Sequence, residues 1–177
     1  MTVTKPFPNR RITQNSWVVP DIHAAMQHWI DTAGIGPFFL VEGITIEEQR
    51  HRGKPTNVEV SFALAQAGDV QVELVCQHND APSAYRDTVP VGATAFHHVA
   101  YYCDAYDRDL AAYTDAGAEV AFSGSFGGKR FAYLDTSAEL GAMVELIEAS
   151  DVQAEFFQRI RDAAAEWDGR HSIRPAF

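Results

Sequence analysis

Cysteine is scarce: the 177 residues hold two, Cys76 and Cys103, and no CxxC pair. That argues against a zinc-thiolate site and asks for no oxidising compartment. Positive charge is also short, with 14 Lys and Arg against 24 Asp and Glu and a formal charge of -10. Such a balance opposes docking on nucleic acid or an anionic membrane through a basic patch, so neither is an expected partner. No apolar run reaches the about 18 residues that a membrane-spanning helix needs. The start, MTVTKPFPNRR, has no apolar core beside its cationic residues and does not read as a secretory signal. The expected location is the cytoplasm. What remains is an ordinary globular composition, 46% hydrophobic and 21% charged, suited to one well-cored domain or two small units sharing a core.

After a polar, proline-bearing arm, residues 12–19 read as a strand. Asp21 then stands as an N-cap before Ile22, Ala25, Met26, Trp29 and Ile30, which share one helical face. Gly34 and Gly36-Pro37 stop that helix. Residues 38–44, 57–66 and 70–77 follow as strands, with a tight turn at Gly68-Asp69 and a charged, mobile loop over 45–56. Residues 78–95, with Pro82, Pro90 and Gly92, read as a linker. The order then begins again: a strand over 96–103, a helix over 106–116 with Leu110 and Tyr113 inward, and strands over 119–123, 130–135 and 142–147. Asp151 is the expected cap of a last helix running to about Trp167, with Phe156, Ile160, Ala163, Ala164 and Trp167 along one side. The expected fold is a single α+β domain of two βαβββ modules, 11–77 and 96–150, joined by the linker and followed by a C-terminal helix and tail, 151–177.

The strongest match between the halves is VQVELVC (70–76) against AMVELIE (142–148), which superposes Glu73 on Glu145. A buried carboxylate is costly unless paired or bound to a cation, and two at equivalent positions ask for a common cause. The first strands supply a complementary pair. Aligning Asp21 with Asp104, an offset of 83, matches Gln14 to His97. Aligning the helix faces, Ile22 with Tyr106, Met26 with Leu110 and Trp29 with Tyr113, gives an offset of 84 and matches Gln14 to His98. Packing fixes several positions at once while a cap can shift by one, so His98 is the expected partner, with His97 on the opposite face of the sheet. One Gln, one His and two Glu make a nitrogen and oxygen ligand set suited to zinc, nickel, cobalt, manganese or ferrous iron. Taken singly, each has a plainer reading: a polar strand residue, a satisfied core histidine, a glutamate turned to water. As a set in a doubled frame they favour a metal.

Trp17, Phe38, Phe39, Tyr101 and Tyr102 read as core before substrate contacts, and strand parity, which sends Tyr102 to the same side as His98, makes it the best candidate among them for a substrate contact. QHNDAPSAYRD contains His78, Ser83 and acids, but nothing fixes a triad, and a hydrogen-bonded turn is the simpler expectation. GSFGG (124–128) lacks the Lys-Ser/Thr that opens a phosphate-loop helix; it reads as a hairpin loop able to close over the site.

The order and doubling of QNSWVVPDIHAAMQHW, GIGPFF, VELV, HHVAYYCDAYD and VELIE resemble the vicinal oxygen chelate superfamily of glyoxalases, bleomycin-resistance proteins and extradiol dioxygenases. The resemblance spans about residues 12–149. It implies a U-shaped mixed sheet holding one divalent metal ion by the first and last strands of each module, at Gln14, Glu73, His98 and Glu145. The family's usual first ligand is histidine, so Gln14 departs from the commonest pattern; the zinc-dependent glyoxalase I enzymes look similar here, with Gln, Glu, His and Glu in that order. The implied activity is that of a metal-dependent isomerase, epimerase or lyase of the glyoxalase or methylmalonyl-CoA epimerase kind. It would act on a small carbonyl compound chelated through two oxygens, by an enolate-type intermediate, with Glu73 or Glu145 as general base. Zinc, nickel, cobalt or manganese is expected ahead of iron, and a homodimer is the common assembly. Two alternatives stand beside it: a ring-cleaving dioxygenase with ferrous iron, which gains if His97 also reaches the metal, and a non-catalytic drug-binding protein of the same fold.

Overall fold

The computed structural model describes residues 10–177, so the polar arm before them lies outside the described residues. β1 (Gln14–Val18) leads into α1 (Ile22–Ala33), then β2 (Phe38–Val41), β3 (Glu47–His51), β4 (Lys54–Pro55), β5 (Val60–Ala67) and β6 (Val70–Gln77). α2 (Ala84–Thr88) precedes β7 (Ala95–Cys103), α3 (Tyr106–Asp115), β8 (Glu119–Phe126), β9 (Lys129–Asp135), α4 (Ser137–Leu140) and β10 (Met143–Glu148). α5 (Asp151–Ala165) and β11 (Ile173–Pro175) complete the set. Among the described residues no helix is long and apolar enough to cross a membrane.

Local chemistry accounts for the boundaries. The Asp21 carboxylate accepts from the Ala24 amide at 2.9 Å and opens α1, and Gly34 closes it in the left-handed region, φ 64°. Ile22 and Met26 are the buried residues of that helix, packed with Val19, Phe38 and Leu74. α3 covers a matching cluster of Tyr106, Leu134, Val144 and Leu146 in the second half. α5 is capped by Ser150, which accepts from the Gln153 amide at 3.2 Å, rather than by the expected Asp151. Asp151 sits instead in the first turn, where its charge meets the positive end of the helix. The helix buries Phe157 and Ile160 against β5. Beyond it, a Cβ on Gly36 would come within 2.8 Å of the Trp167 ring, so any other residue there must displace that ring.

All strands join one mixed sheet in the order β11-β2-β5-β6-β1-β7-β10-β9-β8-β3-β4. The two βαβββ modules are visible in it: β1, β2, β5 and β6 on one side, β7, β8, β9 and β10 on the other. In each, the first and last strands run parallel, and β1 and β7 meet antiparallel at the centre. Connectivity forces the sheet to curl. Val41 ends β2 near one edge and Glu47 begins β3 near the other, so six peptide steps, about 22 Å at most, must link strands eight places apart. A flat sheet would put about 38 Å between them. The U shape follows.

The segment that makes this crossing corrects one expectation. Residues 45–56 form the β3–β4 hairpin, and β3 pairs antiparallel with β8 rather than moving as a free loop. Buried Gln49 bonds the Ile46 and Val58 carbonyls and accepts from the Val58 amide. Arg52 binds Asp87, Asp135 and Glu119, tying the hairpin to the linker and the second module. Gly124 receives the crossing: a Cβ there would meet the Ile46 side chain at 2.8 Å. The charge of this stretch is thus a hub of ion pairs, which composition alone does not distinguish from a solvated loop. The 78–95 connection is likewise built, since α2 drives Ala84 and Tyr85 fully into the interior.

Candidate metal centre

Strand register brings the candidate ligands together. In the first module Gln14 and Ser16 of β1 lie beside Gln71 and Glu73 of β6. In the second, His98 and Ala100 of β7 lie beside Met143 and Glu145 of β10. Superposing Glu73 on Glu145 therefore carries Ser16 to Ala100 and Gln14 to His98, the offset of 84 that the helix faces give. Glu73, His98 and Glu145 are all buried, with one ligand atom of each within 4.8 Å of the others. His98 Nε2 stands 3.3 Å from Glu73 Oε2 and 3.2 Å from Glu145 Oε2. Gln14, 1% exposed, lines the same cavity as the two glutamates.

The hydrogen-bond pattern leaves the ligating atoms free. Gln14 Nε2 donates to Gln71 Oε1 at 2.9 Å, and Gln14 Oε1 is left buried without a partner. Glu73 Oε2 and His98 Nε2 are likewise buried without a hydrogen-bond partner. Three unsatisfied buried atoms on three different strands are costly unless something binds them together. The donor set, one amide oxygen, one imidazole nitrogen and two carboxylates, fits a divalent cation and balances its charge.

His97 does not point away from this group, contrary to the alternation expected of a strand. The β1–β7 register shifts between Ser16 and Trp17, skipping from His98 to Phe96, so His97 is the extra residue of a β-bulge. The bulge breaks the parity and turns His97 toward Tyr85, Tyr133 and His98. Its Nε2 lies 3.0 Å from the Ala84 carbonyl, which can only accept, so that nitrogen carries the proton. Burial, aided by neighbouring His98, lowers the His97 pKa to about 3 and keeps the ring neutral. Its Nδ1 then accepts from His98 Nδ1 at 2.9 Å, which leaves the His98 Nε2 lone pair for a cation. Both His97 nitrogens are engaged, and the group holds one histidine ligand.

With no cation bound, a proton takes that place. Burial lowers the His98 pKa, but the Glu145 and Glu73 carboxylates, 3.2 and 3.3 Å from its Nε2, outweigh it and raise it to about 9. Burial pushes the Glu145 carboxyl up, against the pull of His98. A proton held on His98 below pH about 9 must leave when metal binds, so metal affinity is expected to rise about tenfold per pH unit between pH 6 and 8. Calorimetry in buffers of different ionisation enthalpy measures the released proton. The same shift stabilises the metal-free fold fully below the unfolded pKa, about 6.5, and that contribution disappears as pH rises through about 9.

Above this floor lies a cavity of about 300 Å³. Sequence reasoning missed Tyr85 and Tyr133, both fully buried in its lining with their hydroxyls 3.0 Å apart. Tyr133 is legible only from cross-strand register, as the residue opposite Glu145; Tyr85 lies in the connection and carries no periodic signal. Tyr102 is placed otherwise: its ring packs on Phe157 and it lines a second cavity with Gln71 and Arg161, not the one bearing the glutamates. The GSFGG turn sets Phe126 and Gly127 in the main cavity's lining. The linker forms no triad, since Ser83 caps α2 and donates to Gln77 while His78 pairs with Ser61.

The comparisons with known proteins agree with this frame. The profile of the Glyoxalase/Bleomycin resistance protein/Dioxygenase superfamily matches residues 13–133. A hypothetical protein from Bacillus halodurans is similar in structure at TM-score 0.57 and 14% identity, over 81% of this chain and 96% of that one. Methylmalonyl-CoA epimerase from Mycobacterium tuberculosis is similar at TM-score 0.53 and 14% identity, over 81% of this chain and 91% of that one. At these identities the likeness is one of fold. No curated protein matches the chain in sequence. With its profile matched over most of its length and its two modules paired around one buried group, the chain belongs to the glyoxalase, bleomycin-resistance and dioxygenase superfamily, the vicinal oxygen chelate proteins.

Proposed function

We propose that this protein is a metal-dependent isomerase, epimerase or lyase that removes a proton beside the carbonyl of a small substrate. The observation that carries this reading is the buried Glu73–His98–Glu145 group, completed by the free Oε1 of Gln14, at the floor of the cavity. These four side chains would hold one divalent ion, with zinc, nickel, cobalt or manganese matching the ligand set. When bound, the ion supplies Lewis-acid stabilisation to the oxygen that gains charge as the proton leaves.

The chain's own residues do the rest. Glu145 or Glu73 takes the proton, and burial gives Glu145 the raised basicity that a general base needs. His97 and Gln71 hold the His98 ring and the Gln14 amide in their ligating orientation. Tyr85 and Tyr133 close the floor and exclude water from it. The one-histidine set argues against the ferrous dioxygenase, because His97 is spent on Ala84 and His98. A non-catalytic carrier would share the apolar cavity but not the need for a metal. Incubating the metal-loaded protein in D₂O with small hydroxy- and oxo-carbonyl compounds separates the two. The proposal expects deuterium uptake beside the carbonyl that ceases on chelation; a cavity that binds such compounds without exchange would favour the carrier.

A further inference from the structure

Resting on the metal-centre reading, we infer that the substrate is a compound with an apolar body, carrying its two oxygens at one end. The cavity is polar at its floor and apolar beyond it. Val41, Ile44, Ile46, Phe62, Phe131 and Phe156 line its walls, the three aliphatic ones among these coming from β2 and the segment that crosses to β3. A polar substrate body would lose its water there without finding partners.

The charged groups in the lining do not change this. Arg130 is committed to Asp107 and Glu148, at 2.7 and 3.0 Å. Ser150 is occupied as the cap of α5. That leaves Lys129 and the buried, unpartnered Oε1 of Gln153, enough for a single polar substituent.

The exposed lining residues extend the same preference outward. Phe126, Val152 and Phe177 are 43%, 78% and 84% exposed, and all three line this cavity. Exposed apolar side chains gathered at one opening mark a place where apolar surface is received. Phe177 stacks on Phe156, 5.7 Å between centroids, so the apolar wall runs unbroken to the outside. An aliphatic chain or aromatic ring entering oxygen-first would stay in apolar contact along its length.

Hydroxamic acids present two neighbouring oxygens on bodies of chosen size, and they test this on the cobalt-loaded protein by its visible spectrum. Benzohydroxamate and octanohydroxamate are expected to bind on the order of 10- to 100-fold more tightly than acetohydroxamate. Val152→Asp, an exposed position that leaves the core intact, is expected to weaken octanohydroxamate more than acetohydroxamate. Equal affinities for all three, or tightest binding by the smallest, would overturn the apolar substrate while leaving the metal centre standing. A cobalt spectrum that none of them changes would overturn both.

Discussion

Substrate proton exchange is expected to fall about 100- to 10,000-fold when Glu145 is replaced by glutamine. The change keeps the shape of the side chain and an oxygen able to ligate, but removes the group that accepts a proton. Glu145 lies in β10 between β7 and β9, directly opposite Tyr133, and its carboxyl is pushed up by burial. Glu73, from the last strand of the other module, approaches the same nitrogen of His98 at 3.3 Å. Glu73→Gln is therefore the paired experiment, and a large loss there with exchange retained in Glu145→Gln would exchange their roles. Metal content must be measured in both variants, so that loss of the base is not confused with loss of the ion. Full exchange in both, with the ion retained, would refute carboxylate catalysis at this site.

His98→Ala is expected to produce the largest change in stability. In the metal-free protein the His98 ring, 0% exposed, meets two buried carboxylates at its Nε2 and carries the charge that answers them. Removing one partner of such a buried group costs about 3–5 kcal/mol. The loss should shrink at acid pH, where protonation of Glu145, its carboxyl already pushed up by burial, removes one of the two buried charges. The variant should also gain no thermal stability from added zinc or cobalt, whereas the native chain gains by mass action. A Tm for His98→Ala equal to that of the native protein at neutral pH, with the same rise on adding metal, would show that the histidine is an ordinary core residue.

The doubled architecture was legible because it rests on repeated local signals. The face shared by Ile22, Met26 and Trp29 recurs as Tyr106, Leu110 and Tyr113, and the glutamate-bearing strands share a Val-Glu-Leu core. Those signals survive folding since each is fixed by packing of several side chains at once. The features that were not legible are departures from periodicity. A one-residue bulge at His97 reverses the face of a side chain, and nothing in FHHVAYY marks where alternation breaks. The 45–56 segment looks like a solvated loop by composition, yet its charges are answered across the molecule by Asp87, Glu119 and Asp135. Tyr102 was assigned by parity, but Phe157 of α5 packs over its ring and the two share the second cavity. A helix arriving from 50 residues later in the chain leaves no trace in a strand's own pattern.

Metal analysis of the purified protein, stripped with chelator and reloaded, tests the account most directly. One divalent ion per chain is predicted, bound more tightly as pH rises from 6 to 8, and weakened in each of the Gln14→Ala, Glu73→Gln, His98→Ala and Glu145→Gln variants. A protein that takes up no stoichiometric ion, or that holds one just as tightly after His98→Ala, would contradict it.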